Sequence, residues 1–166
     1  MNRVSALGAA RWLSFLVPAA LLAGAYGSEY WGRLIPCEMC WWQRYAHFAA
    51  LIFAMVAIAM GRMRPEDGRA FVRLAALAIA VSGVIGFYHA GVELGILEGL
   101  TQCTANSTAM GADALLKQIM DAPIIRCDQV QWSWLGISMA GWNGILSVGA
   151  SLIILWLSLK SRRGRA

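Results

Sequence analysis

Four runs of apolar residues separated by polar stretches of unequal length organise this 166-residue chain. They extend from about Trp12 to Tyr30, Trp41 to Met60, Phe71 to Val92 and Leu135 to Leu159. Each is close to the roughly 20 residues a helix needs to cross a bilayer. Lipid offers backbone amides no partner, so spanning segments of this kind must bond internally as helices. The pattern predicts an all-α membrane protein, a four-transmembrane-helix bundle forming one domain over residues 1–166. Two connections, about 31–40 and 93–134, leave the bundle at one end, and the second is long. Within it, residues 112–120 place apolar side chains at helical spacing, which predicts a short amphipathic helix lying on the lipid surface.

Composition agrees with lipid as the solvent: 59% of residues are hydrophobic, 14% are charged, and the mean hydropathy is +0.58. A pI near 9.4 raises the question of nucleic acid, and the placement of the charges answers it. Ten basic residues (Arg3, Arg11, Arg62, Arg64, Arg69, Arg73, Lys160, Arg162, Arg163, Arg165) lie on the termini and the middle connection against Glu66 and Asp67, a net of +8. The two outer connections carry Arg33, Arg44, Lys117 and Arg126 against seven carboxylates, a net of −3. The positive-inside rule then puts both termini in the cytoplasm and both outer loops, with all four cysteines, outside. The basic excess reports topology, and no nucleic-acid partner is expected.

Arg3 and Arg11 before an apolar run ending in Ala23-Gly24-Ala25 also fit a cleaved signal peptide. The run continues through Tyr26 to Trp31, and that aromatic end suits an interfacial anchor. Small residues in the third and fourth segments (GVIG, GISMAGWNG, SVGAS) predict close helix packing. Trp132, Trp134 and Trp142 predict an interfacial belt that doubles as a wall for a flat ligand.

The chemistry concentrates in CEMCWWQRYAH, residues 37–47. A C-x-x-C is shared by zinc and redox sites. Zinc is disfavoured because Cys103 and Cys127 stand 24 positions apart, and an oxidising compartment favours disulfides over thiolates. One pair per loop is the simplest partition. A Cys103–Cys127 bridge closes a loop that removes about 3 kcal/mol of unfolded-chain entropy, whereas a C-x-x-C bridge closes almost none and is kept for exchange. Cys40 falls near the start of the second helix, where the helix dipole stabilises an anion, with Arg44 one turn below on the same face. His47 follows three residues later, and His89 stands at the outer end of the third helix. Ionisable groups at such depth face the bundle interior or a polar ligand, so Arg44, His47 and His89 are the candidate ligand-binding residues.

The block CEMCWWQR at the top of the second of four helices, a second cysteine pair in a long outer loop, and the stretch RCDQVQWSWLGISMAGWN together resemble the disulfide-bond formation protein B (DsbB) family. The resemblance covers nearly the whole chain and implies a quinone-dependent thiol oxidase of the bacterial inner membrane. It implies that a reduced DsbA-like thioredoxin-fold protein of the periplasm attacks Cys103, forming a mixed disulfide that Cys127 helps resolve as the partner leaves oxidised. Electrons then reach Cys37 and Cys40 through a transient bond between the loops, and Cys40 beside Arg44 passes them to ubiquinone or menaquinone from the respiratory pool. Such a partner is itself a strong oxidant at about −120 mV, so its reoxidation needs a better acceptor. Glu38, the Trp41-Trp42 pair and Gln43 depart from the best-known members, and Glu38 opposes thiolate formation. Two rivals are a vitamin-K-epoxide-reductase-like oxidase, in which the C-x-x-C comes late in the chain, and a disulfide-stapled scaffold or metal-binding subunit without enzymatic activity.

Overall fold

The computed structural model describes residues 3–99 and 126–160. Its helices are α1 (Arg3–Tyr30), α2 (Glu38–Met63), α3 (Arg69–Glu93) and α4 (Met139–Lys160). A two-stranded hairpin, β1 (Ser133–Trp134) with β2 (Ile137–Ser138), precedes α4. All four helices are long and apolar enough to cross a membrane, so this is a multi-pass membrane protein. Cys103 and the expected amphipathic helix at 112–120 lie outside the described residues.

The helices pack as a ring. α3 lies most extensively against α4 and α2, and α1 closes the ring by touching α2 and α4, leaving α1/α3 and α2/α4 as the diagonals, with α1 and α3 the closer pair. The interior is built from small residues, including Ala50, Ala54, Ala57, Ala75 and Ala76, while Ile52, Leu77 and Leu152 are more than half exposed on the outside. This is the expected arrangement in lipid, where tails solvate large side chains and close backbone approach supplies the packing.

Gly86 marks the tightest approach of α3 to α4: a Cβ there would sit 2.8 Å from the Ala140 carbonyl oxygen and 2.9 Å from the Gly144 nitrogen. Backbone cannot yield as a side chain can. Gly86→Ala is therefore expected to destabilise the fold by about 1–3 kcal/mol, read as a lowered melting temperature in detergent. A melting temperature equal to that of the parent chain would contradict the close approach.

The end carrying the termini is closed by Arg11, whose guanidinium is buried and donates to the Pro65 carbonyl at 2.7 Å and to the Asp67 carbonyl. It ties α1 to the short α2–α3 connection. At the opposite end the fourth helix begins at Met139, four residues later than the hydrophobic pattern suggests, because residues 133–138 fold back on themselves. Leu135 (φ 52°) and Gly136 (φ 77°) both take left-handed conformations, which is the two-residue turn that matches strand twist. Ser138 Oγ then accepts from Gly141 N at 3.1 Å and caps α4. Gln131 Nε2 donates to the Ile35 carbonyl at 2.9 Å, fastening the end of the long loop to the short one.

Candidate functional site

Pro36 ends the extended loop, and Cys37 (φ −77°, ψ 173°) is the N-cap of α2, its sulfur accepting from Cys40 N at 3.4 Å. The helix begins at Glu38, so Cys40 sits in its first turn, where unpaired amides and the dipole favour an anion. Helical geometry sets the two sulfurs 3.0 Å apart. Cys127, from the far end of the chain, joins them: its sulfur, that of Cys37 and a ring nitrogen of His89 all lie within 4.8 Å of one another. Met39, Val92, Trp42 and Tyr88 pack around this cluster. The fold thus brings three of the four cysteines and His89 together, and Cys103 lies outside the described residues.

Cys37 and Cys127 are almost fully buried and Cys40 is partly exposed. Hydrogen bonds from Cys127 and then Cys40, with burial, push the Cys37 thiol far above the ordinary thiol range. In the dithiol form the folded chain therefore keeps a proton that the unfolded chain releases above about pH 8.5. Stability should fall as pH rises past that value, by about 1.4 kcal/mol per unit from this thiol. Melting curves of reduced protein between pH 7 and 10, compared with Cys37→Ala, check this; an identical alkaline slope in the variant would refute it. Next to the cluster, exposed Arg126 pairs with Asp128 and draws its carboxyl below the ordinary carboxylate range.

His89, buried at 3% exposure, directs Nε2 towards Cys37 Sγ at 3.6 Å and Glu93 Oε1 at 3.8 Å, while Nδ1 lies 3.0 Å from Gln43 Nε2. Arg44, one turn below Cys40, is buried at 5% exposure. Its Nη1 donates to Glu29 Oε2 at 2.5 Å, its Nη2 to the Ala25 carbonyl at 3.2 Å, and its guanidinium lies over the Tyr26 and Trp41 rings at 4.6 and 4.9 Å. It is thus anchored to α1. His47 points into the bundle, with Nε2 2.9 Å from Ser82 Oγ and 3.0 Å from Asn143 Oδ1.

Cys37, Cys40, Arg44, His47 and His89 line one cavity of about 600 Å³ among the four helices, a volume ordinary for a small-molecule site. Its walls are mostly apolar, with Leu22, Leu146, Trp132 and Trp142 among them. Trp142 is fixed by donating to the Trp134 carbonyl at 3.1 Å and by lying against the Trp134 ring at 5.3 Å. Buried His47 Nδ1 has no hydrogen-bond partner among the described residues.

Glu29, Gln43, Ser82, Glu93 and Asn143 were not singled out from the sequence, although polar groups inside spanning helices are costly and signal function. From the sequence, Gln43 stands out only as a departure within the family block, and Asn143 only inside a small-residue packing stretch and at the end of the second family stretch.

Residues 8–157 match the family model described as Disulfide bond formation protein DsbB. Curated relatives named Disulfide bond formation protein B include those of Azoarcus sp., 32% identical over 91% of each chain, and Marinobacter nauticus, 30% identical over 92% of this chain and 93% of its own. That of Xanthomonas oryzae pv. oryzae is 28% identical over 91% of this chain and 90% of its own. No solved structure matches significantly. With paired cysteines at the head of an apolar cavity and a family match over most of its length, the chain belongs to the DsbB family and has a disulfide-forming oxidoreductase role in bacteria.

Proposed function

We propose that the protein reoxidises a periplasmic DsbA-like dithiol oxidase and delivers the electrons to a membrane quinone. The observation that carries this reading is the joining of the cysteine cluster to the apolar cavity, with Cys40 and Arg44 lining it together. The orientation is the one the charge distribution favours, in the inner membrane with both termini cytoplasmic and the cysteines periplasmic.

The thiol chemistry balances as a set of exchanges. A partner thiolate attacks Cys103 of a Cys103–Cys127 disulfide, Cys127 leaves as a thiolate, and the partner's second thiolate displaces Cys103, leaving the partner oxidised. Cys127 then attacks the Cys37 sulfur of a Cys37–Cys40 disulfide, and Cys40 departs as a thiolate. Cys103 in turn displaces Cys37 from Cys127, so that two electrons now reside on Cys37 and Cys40. The proximity of Cys127 to Cys37 supports this order of attack. The first turn of α2 is suited to hold Cys40 as the leaving anion.

The cavity fits a flat, apolar ring with polar oxygens: Trp142 and Leu146 offer walls, and Arg44 offers N–H donors. A quinone, when bound, supplies a two-electron, two-proton acceptor. Arg44, braced by Glu29, holds positive charge against a developing oxyanion, and the apolar walls exclude water.

The test is direct: purified protein in mild detergent, with added ubiquinone and a reduced DsbA-like protein, should consume quinone absorbance in proportion to the partner oxidised. If quinone persists while all four cysteines resist millimolar glutathione, the chain is a stapled scaffold and the proposal fails. The orientation has its own check, because an impermeant thiol reagent should label reduced Cys40, the partly exposed cysteine of the pair, in intact spheroplasts. Labelling only after lysis would reverse the topology.

A further inference from the structure

Cys37, Cys127 and His89 have the composition and closeness of a soft-metal site, with Cys40 beside them. The hydrogen bonds behind His89 point the other way. Gln43 Nε2 lies 3.2 Å from the Met39 backbone carbonyl, which can only accept, so that atom of the side-chain amide is the NH₂ group. The same NH₂ lies 3.0 Å from His89 Nδ1, which must therefore accept as well. A neutral imidazole with an accepting Nδ1 carries its proton on Nε2. The groups facing Nε2 are Cys37, Cys40 and Cys127 from two other segments and Glu93 one turn along α3, all able to accept.

A second brace fixes Gln43. Asn143 Nδ2 donates to Gln43 Oε1 at 2.7 Å and lies 3.3 Å from the Ser82 backbone carbonyl, which again can only accept. Asn143 Oδ1 receives Ser147 Oγ at 3.0 Å and His47 Nε2 at 3.0 Å. Neither amide can turn over without placing an oxygen against a carbonyl oxygen.

We propose that Gln43, held by Asn143, is a positioning residue that keeps the His89 proton on Nε2. The ring is thereby committed to donating into the cysteine cluster and is denied to a soft cation. A metal-binding imidazole needs a lone pair on the ligating nitrogen and an acceptor behind the other, and Gln43 presents a donor there. The catalytic sense of this assignment rests on the thiol–quinone reading, because a donor towards sulfur stabilises a thiolate during exchange.

The ring proton can be located by ¹⁵N NMR of histidine-labelled, reduced protein in detergent, with Cd²⁺ titration of the same samples followed by thiolate absorbance. The parent chain should show His89 protonated at Nε2. Gln43→Glu, which sets an acceptor behind the ring, should place a proton on Nδ1 and raise Cd²⁺ affinity by roughly 10- to 100-fold, the usual weight of such a partner. Gln43→Met, which removes the donor and nearly keeps the volume, should divide the proton between the nitrogens and serves if the glutamate variant does not fold. A residue that merely packs would lower the melting temperature of the Gln43 variants without moving the proton. The proposal is overturned if His89 of the parent chain is protonated at Nδ1, or if the proton and Cd²⁺ affinity are unchanged in a folded variant. Quinone turnover is measured separately: its absence from the parent chain refutes the functional reading and leaves the proton's position as the sole arbiter here.

Discussion

Cys40→Ser should reduce quinone consumption to background while leaving the protein able to form a mixed disulfide with its thioredoxin-fold partner. Cys40 is the cysteine of the C-x-x-C that is partly exposed and lines the cavity in the first turn of α2. A hydroxyl there keeps the size of the side chain but cannot form the Cys37–Cys40 disulfide, so electrons on Cys127 have no disulfide to enter and no route to the cavity. Cys103 and Cys127 are untouched, and exchange with the partner should still trap on a gel under alkylating conditions. Undiminished turnover would remove Cys40 from its assigned role. Loss of both turnover and the mixed disulfide would indicate that the substitution damages the outer loops as a whole.

The second large effect is expected at Arg44. Its guanidinium is held by Glu29, the Ala25 carbonyl and two aromatic rings, an arrangement that fixes a cation at the cavity wall. Arg44→Ala leaves the Glu29 carboxylate, itself largely covered, without its partner. Breaking a fully buried pair costs about 3–5 kcal/mol, and the partial exposure of Glu29 should hold the loss below that range. The kinetic signature separates the two roles. KM for quinone should rise at least tenfold while KM for the protein substrate changes little, and Arg44→Ala combined with Glu29→Gln should regain stability without regaining quinone affinity. An effect confined to the protein substrate would place the quinone elsewhere.

Periodicity made the membrane helices legible because apolar length is a direct requirement of the bilayer. It could not reveal that residues 133–138 form a hairpin, since a left-handed Leu135 is a backbone property with no hydrophobic signature. The C-x-x-C and Arg44 were readable because a helix start fixes its neighbours by local geometry alone. Cys127 beside Cys37 was not, because ninety residues of chain separate them and the contact depends on the hairpin and on Gln131. His47 is a different case. Its depth could be read from the sequence, whereas its anchoring to Ser82 and Asn143 depends on the rotation of α3 and α4. Gln43, Ser82 and Asn143 sit among apolar residues, and treating every polar side chain in a spanning segment as costly would have found them.

The fastening of Gln131 to Ile35 also has a kinetic meaning. Cys127 is tethered only four residues from that fixed point, so its sulfur stays within about 10–12 Å of it rather than ranging over the whole outer face. A short leash of this kind gives an effective concentration of millimolar or more near Cys37. A diffusible thiol must exceed that level to compete for the Cys37 sulfur, whatever its intrinsic reactivity. Insulation from stray reductants is thus a property of tether length, and inserting a long flexible spacer between Cys127 and Gln131 should make the exchange leaky without altering any residue of the site.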